Sequence, residues 1–126
     1  MAPVADVGIK VMVVDDTAHV RELLTAMLSI DGFVVVADTE TSEAALRAAR
    51  TSEPDVVVVD YKMPGVDGLE TARRLKKVRP DQRIILYTAF ADDALYDDAA
   101  AAGAVVCLKT DGLGALEKEI DRLGRR

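Results

Sequence analysis

The hydrophobic positions of the chain fall into five short runs that alternate with longer stretches of helical periodicity. The third run is the clearest, because four consecutive valines, 56–59, lead directly to Asp60 and are followed by Pro64 and Gly65. Branched apolar side chains with no polar position between them are typical of a strand that is buried on both faces. The runs predict five strands, at 10–14, 33–37, 56–60, 84–87 and 104–108.

Between these runs the apolar residues recur with the period of a helix. In the first such stretch five residues are predicted to share one buried face, namely Val20, Leu23, Leu24, Met27 and Leu28. Asp31–Gly32 are expected to end this helix, since glycine tolerates a positive φ. Thr41 and Asp67 are predicted to cap the second and third helices. The fourth helix is predicted over 92–102, and apolar residues at helical spacing predict a fifth over 113–123.

Strands that alternate with helices are typical of βαβ units with right-handed crossovers. We therefore predict an α/β protein of the flavodoxin-like (βα)5 type. It is a three-layer sandwich with a five-stranded parallel sheet in the order 2-1-3-4-5. The sequence contains no repeat and no linker, so residues 1–126 are interpreted as one domain. Within it, 1–8 form a loose N-terminal arm and 9–124 form the core.

Charge and composition narrow the range of functions. The chain has 126 residues, a formal net charge of −6 and half of its residues hydrophobic. A negative protein is poorly suited to binding nucleic acid or an anionic membrane, whereas converging acids favour a cation. Cys107 is the only cysteine and is interpreted as a small core residue. No signal peptide and no membrane-spanning run is recognisable, so a cytoplasmic location is expected.

Polar side chains follow the strands where the carboxyl ends of a parallel sheet meet. Asp15 and Asp16 follow the first strand, Asp60 ends the third, Thr88 follows the fourth and Lys109 follows the fifth. Ligands bind at this edge of an open α/β sheet. Three carboxylates at one point repel one another unless a cation joins them, and Mg²⁺ suits such oxygen ligands. An aspartate nucleophile with an ammonium and a hydroxyl beside it indicates phosphoryl transfer.

These residues carry a resemblance to a known family. Over residues 10–123 the chain resembles the receiver domain of bacterial two-component response regulators. The matching motifs are Val13–Asp16, Asp60–Gly65 with Asp67–Gly68, Thr88–Ala89, and Ala102–Ala104 leading to Lys109.

The resemblance implies a phosphorylation site and a metal site. By it, Asp60 accepts the phosphoryl group from the phosphohistidine of a sensor histidine kinase or a phosphotransfer protein. Asp16 and Asp60 bind Mg²⁺ (or Mn²⁺) directly, with the backbone carbonyl of Lys62 as a further ligand. Asp15 acts mostly through metal-bound water.

The resemblance also implies how the phosphorylated state is read. Thr88 donates to a phosphoryl oxygen, Lys109 pairs with the phosphate, and Lys62, Ala89 and Phe90 modulate the reaction. Phosphorylation then changes partner binding, or homodimerisation, at the face formed by helix four, strand five and helix five. The protein so described catalyses only its own phosphorylation and dephosphorylation and is not otherwise an enzyme.

Two positions depart from the pattern of that family. Val106 stands three residues before Lys109, where receiver domains usually carry an aromatic residue, and Phe90 or Tyr96 is a candidate substitute. Thr110 stands where a proline usually follows the lysine. A cis bond before a residue other than proline costs about 2.5–4 kcal/mol, so the backbone after Lys109 is expected to differ.

Two other readings stay open from the sequence. The chain is either a stand-alone regulator or the receiver of a longer DNA-binding transcriptional regulator, since Lys109–Gly112 resembles receivers that precede helix-turn-helix domains. A phosphatase of the haloacid dehalogenase type also forms an aspartyl phosphate. That family has a second aspartate two residues after the nucleophile, where this chain has Lys62.

Overall fold

The computed structural model describes residues 8–125 and has one five-stranded parallel sheet with the order β2-β1-β3-β4-β5. The strands are β1 (Lys10–Val14), β2 (Val34–Thr39), β3 (Val56–Asp60), β4 (Arg83–Thr88) and β5 (Ala104–Leu108). The helices are α1 (Ala18–Ile30), α2 (Ser42–Ser52), α3 (Gly68–Val78), α4 (Asp93–Ala101) and α5 (Leu113–Gly124). The predicted fold is confirmed. The predicted arm, apart from Gly8, lies outside the described residues.

Alternation along the strands divides the hydrophobic core into two layers. In β3, Val57 and Val59 pack on the side of the sheet covered by α2, α3 and α4, whereas Val56 and Val58 pack on the side covered by α1 and α5. All four valines are at most 1% exposed. The prediction of a strand buried on both faces is therefore confirmed. The same alternation decides to which side the polar residues at the strand ends project.

The boundaries of three strands agree with the sequence pattern and those of two differ. β1, β3 and β5 have the predicted bounds, while β2 is shifted to Val34–Thr39 and β4 extends at both ends, to Arg83–Thr88. β2 lies at the edge of the sheet and pairs only with β1, with a register shift between Val11 and Met12. The apolar run alone underestimates these strands because strand ends carry polar side chains.

The buried face of α1 is narrower than the sequence predicts. Leu24 and Leu28 are buried in the layer shared with α5, but Leu23 is 62% exposed and Met27 is 39% exposed. The prediction for these two residues is wrong. Positions 23 and 27 lie about 100° around the helix from positions 24 and 28, outside the narrow stripe that contacts the sheet.

Side-chain caps begin three of the helices. The side chain of Thr41 accepts from the N–H of Ala44, and that of Asp67 accepts from the N–H of Glu70, as predicted. Asp92 caps α4 in the same way. Each interaction satisfies a backbone donor that has no partner within the helix. Among the helices that the structure describes, none is long and apolar enough to cross a membrane.

A pair of acids joins the end of α1 to α5 and makes the stability depend on pH. Glu117 Oε2 is fully buried. The pKa of Glu117 is raised from 4.5 to about 7, first by burial and then by the hydrogen bond and charge of Asp31. The proton is held more tightly in the folded chain. The stabilising contribution of the protonated acid is therefore complete below pH 4.5 and is lost as the pH rises through about 7.

Replacing Glu117 by Gln is expected to stabilise the protein at pH 8 and to have little effect at pH 5, because the amide is neutral at both. Since part of the side chain is exposed and screened, we expect about 1 kcal/mol, or about 4 °C in Tm. Thermal unfolding at the two pH values measures this. Glu22→Gln, at an exposed position of α1, is the control. An equal change in Tm at both pH values would contradict the assignment.

Candidate functional site

Three carboxylates meet where β1 and β3 end. The two strands are neighbours in the sheet, so Asp15 and Asp16 after β1 come close to Asp60 at the end of β3. One carboxylate oxygen of each residue lies within 4.8 Å of the others. Asp15 is buried, and the other two are partly buried. This is the point at which the strand order reverses, where α/β sheets bind ligands.

The Asp60 carboxylate is only partly compensated by positive charge. Lys109 Nζ donates to Asp60 Oδ1 at 3.2 Å, and the side chains are 33% and 14% exposed. The pKa of Asp60 is nevertheless raised, above all by burial. Lys109 opposes this effect, whereas the charges of Asp15 and Asp16 add to it. A positive ion among the three acids would remove the imbalance.

Asp15 is held in place by its local backbone and by Arg21. Asp15 Oδ1 accepts from the N–H of Thr17 at 2.9 Å, and Arg21 Nη1 donates to the Asp15 carbonyl at 2.7 Å. Arg21 Nε is also paired with Asp38 Oδ1 at 3.2 Å. Arg21 was not predicted as a site residue, and no motif signals it, because its partners lie in separate segments, Asp15 after β1 and Asp38 in β2.

The donor set fits a hard divalent cation. All three candidate side chains offer carboxylate oxygens, and such oxygens at this spacing are ligands for ions of the Mg²⁺ class rather than for soft metals. Asp16 and Asp60 are the more accessible members of the cluster, whereas Asp15 is 3% exposed and already engaged by the Thr17 N–H.

The other predicted site residues surround one open cavity beside the acids. Its volume is about 270 Å³, and its lining includes Asp60, Lys62, Thr88, Ala89, Phe90 and Lys109. Thr88 is 4% exposed and its hydroxyl donates to the carbonyl of Phe90 at 3.1 Å. The side chains of Lys62, Ala89 and Phe90 are exposed at the rim. The structure thus brings the predicted residues together, with the Thr88 hydroxyl turned toward the backbone.

The loop after Asp60 depends on a glycine at its far end. Gly68 N–H donates to the Tyr61 carbonyl at 2.8 Å, which ties the first turn of α3 to the end of β3. A Cβ atom on Gly68 would clash with the Asp60 carbonyl oxygen and lie 2.8 Å from Tyr61 Cα. Only glycine allows this approach of two backbones, so Gly68 fixes how the loop leaves Asp60.

The two departures noted in the sequence have structural counterparts. Val106 is half-buried against the layer of α2, α3 and α4. Phe90 is 75% exposed and Tyr96 is 44% exposed, so neither fills a buried position in this state. After Lys109 the chain forms a 3-10 turn, Lys109–Asp111, which the sequence did not predict. Between residues 8 and 125 every peptide bond is trans, Lys109–Thr110 included.

Comparison with known proteins agrees with this geometry. The family model for the response regulator receiver domain matches residues 11–121. The chain belongs to this family. The receiver domain is 41% identical over 110 residues to the response regulator GacA of Pseudomonas syringae pv. syringae, covering 86% of this chain and 51% of GacA. It is 33% identical over 95 residues to the chemotaxis protein CheY of Bacillus subtilis, covering 75% of this chain and 79% of CheY.

Solved structures show the same relationship. The response regulator TrrA of Thermotoga maritima, in complex with Mg(2+)-BeF, has a TM-score of 0.78 and 32% identity to this receiver domain. The match covers 91% of this chain and 98% of TrrA. The receiver domain spans about half the length of the GacA relatives that it matches.

Proposed function

We propose that this receiver domain is a phosphoacceptor switch in two-component signal transduction and that Asp60 is the residue phosphorylated. The observation that carries the proposal is a cluster of three carboxylates, one of which, Asp60, contacts the Lys109 ammonium and lines an open cavity. A carboxylate is a competent nucleophile toward phosphorus, and its neighbours here supply charge for the transferred group.

The proposed step is an exchange of one bond to phosphorus. An oxygen of the Asp60 carboxylate bonds to the phosphorus atom of a phosphohistidine, and the bond from phosphorus to the imidazole nitrogen breaks. The electron pair leaves with the imidazole, which takes up a proton. Lys109 Nζ, 3.2 Å from Asp60 Oδ1, is placed to neutralise an oxygen of the transferred group. The Thr88 hydroxyl lines the same cavity and can rotate from the Phe90 carbonyl to donate to that group.

Asp16, Asp60 and the Lys62 carbonyl are proposed as direct ligands of Mg²⁺ (or Mn²⁺), with Asp15 acting through bound water. When bound, such an ion neutralises negative charge on the phosphoryl oxygens. The raised pKa of Asp60 supports the assignment, because a cation there favours the ionised carboxylate that the reaction needs. Hydrolysis of the aspartyl phosphate then restores Asp60, so the domain catalyses only its own phosphorylation and dephosphorylation.

The proposed output face consists of α4, β5 and α5. It includes an open groove of about 500 Å³ whose lining combines Tyr96 and Val106 with Lys118 and Arg122. A change at Thr88 reaches this face through the adjacent Ala89 and Phe90 and the start of α4. The phosphoryl donor to Asp60 is then a sensor kinase or a phosphotransfer protein. The output face binds an output domain, a partner protein or a second copy of this chain.

We further propose a bacterial, cytoplasmic protein in which 9–124 form the core of one receiver domain. Similarity to half of GacA supports a relationship to receivers of longer regulators. Such a regulator would bind DNA through another part of its chain, because this domain carries a net charge of −6.

Intact mass spectrometry after incubation with acetyl phosphate tests the proposal. With Mg²⁺ we expect one added phosphoryl group per chain, and with a chelator in its place we expect at least about a tenfold slower reaction. Hydroxylamine should remove the group, since it cleaves acyl phosphates and leaves phosphoserine intact. Absence of labelling with Mg²⁺, or labelling that resists hydroxylamine, contradicts the proposal.

A further inference from the structure

The Lys109 side chain crosses a neighbouring strand to reach Asp60. In the sheet, Asp60 of β3 is paired with Tyr87 of β4, and Tyr87 is paired with Cys107 of β5. Lys109 follows two residues after Cys107, at the start of the 3-10 turn that leaves β5. Its ammonium group contacts Asp60, two strands away. Tyr87, in the strand between, lies beneath the path that the lysine side chain takes.

The aromatic ring of Tyr87 faces the lysine. Lys109 Nζ lies over the ring, 5.6 Å from its centroid, which is within the range of a cation–π interaction. Tyr87 is partly buried and packs against the core layer of α1 and α5. Its carbonyl accepts from the N–H of Tyr61 at 3.3 Å, the first residue after Asp60. The residue that carries the ring, Tyr87, is therefore also the residue whose backbone holds the start of the loop after Asp60.

Lys109 has few other restraints. Its side chain is one-third exposed, and its ammonium group donates to one carboxylate oxygen of Asp60. A four-carbon side chain loses substantial rotamer freedom when its end is fixed at one point. The backbone that follows is an exposed 3-10 turn with Thr110 in place of proline. The Tyr87 ring, which lies under the Lys109 ammonium group, limits the positions that this group can adopt.

We infer that Tyr87 is a positioning residue for Lys109: its ring holds the ammonium group beside the Asp60 carboxylate, ready for the incoming phosphoryl group. This inference rests on the proposed phosphoacceptor function for its consequence in the reaction, but not for the contact itself. The ring acts through the lysine and does not touch the reacting atoms. Its face, rather than its hydroxyl group, carries the effect.

Two variants separate the ring from the hydroxyl. Tyr87→Leu removes the ring and keeps an apolar side chain, and it is expected to slow phosphorylation by acetyl phosphate with Mg²⁺ about three- to tenfold. Tyr87→Phe keeps the ring and should stay within about twofold of the wild type. Phe33→Leu, which removes a partly buried ring from the same core layer just before β2, is the matched control. If Tyr87→Leu does not fold, Tyr87→Met replaces it, since methionine fills irregular space.

A second measurement reports the position of Lys109 without any reaction. Relaxation of the lysine ¹³Cε nuclei in the unphosphorylated protein gives an order parameter for each side chain. In Tyr87→Leu the value for Lys109 is expected to fall toward that of Lys118, an exposed lysine of α5, while Tyr87→Phe keeps it. If the wild type accepts no phosphoryl group, the proposed function fails, and the order parameters still decide whether the ring holds Lys109.

The inference requires that Tyr87→Leu both slows phosphorylation and lowers the order parameter of Lys109. Tyr87→Phe should do neither. An unchanged rate and order parameter in Tyr87→Leu overturns it. So does a slower rate without a more mobile Lys109, a more mobile Lys109 without a slower rate, or a defect in Tyr87→Phe equal to that in Tyr87→Leu.

Discussion

Replacement of Asp60 by Asn is expected to abolish phosphorylation, leaving less than about 1% of the wild-type labelling. The amide lacks the anionic oxygen that attacks phosphorus. Asp15 cannot take over, because it is 3% exposed and its Oδ1 is bound to the Thr17 N–H. Intact mass after incubation with acetyl phosphate and Mg²⁺ measures the loss, and peptide mapping of the wild type locates the labelled residue.

The control for this substitution is Asp97→Asn, which makes the same chemical change on an exposed position of α4 and should label as the wild type does. Asp60→Asn also removes one of three clustered negative charges. We therefore expect the variant to fold, with a Tm no lower than that of the wild type in the absence of Mg²⁺. Labelling of Asp60→Asn at the wild-type rate would show that another residue is the acceptor.

Replacement of Lys109 by Met is expected to have two opposite effects. Phosphorylation by acetyl phosphate should slow about 10²-fold, because a preorganised cation beside the transferred group is lost. Binding of Mg²⁺ should become tighter, by about tenfold, because the ion no longer competes with the ammonium group for Asp60. The present contact of 3.2 Å between Lys109 Nζ and Asp60 Oδ1 is the reason for both.

Titration calorimetry with Mg²⁺ and the time course of labelling measure the two effects separately. Lys77→Met, at an exposed lysine in the last turn of α3, is the control and should change neither. Opposite signs distinguish the proposed role from general damage, since a misfolded variant would lose affinity and rate together. Weaker Mg²⁺ binding in Lys109→Met would mean that the lysine supports the metal site instead of competing with it.

In the proposed switch, the path from phosphorylation of Asp60 to the output face is expected to begin at the wall of the cavity. Thr88, Ala89 and Phe90 form one wall of it, and α4 begins shortly after them. The hydroxyl of Thr88 donates to the Phe90 carbonyl, so we expect that drawing it toward a phosphoryl group on Asp60 would break this hydrogen bond and release the loop. Val106 leaves no large ring to move at its position. The exposed Phe90 is therefore the aromatic residue whose surroundings we expect to change most directly.

Some features could be predicted from the sequence because they depend on local pattern. The run of valines ending at Asp60 predicted a central strand with its bounds, since burial on both faces leaves no other arrangement for such residues. Strand and helix alternation predicted the sheet order, and with it the meeting of Asp15 and Asp16 with Asp60. Thr41 and Asp67 were predicted as caps because a cap needs only residues three positions apart.

Other features were decided by packing between distant segments. Leu23 and Met27 have the helical spacing of core residues, but the width of the buried stripe on α1 is set by the sheet and α5. The raised pKa of Glu117 comes first from burial and then from Asp31, and the carbonyl of Asp15 is held by Arg21. No periodicity along the chain encodes these pairs.

The sequence by itself thus determined the order of the elements, the family, and the residues at the carboxyl edge of the sheet. These features depend on the spacing of apolar residues and on the polar residues that directly follow each strand, both of which are local properties of the chain. Only the tertiary structure decided that the Lys109 side chain passes over the Tyr87 ring to reach Asp60 and that the Thr88 hydroxyl is turned toward Phe90. The physical reason is that register across three strands and the rotation of side chains are fixed by contacts between residues far apart in the chain.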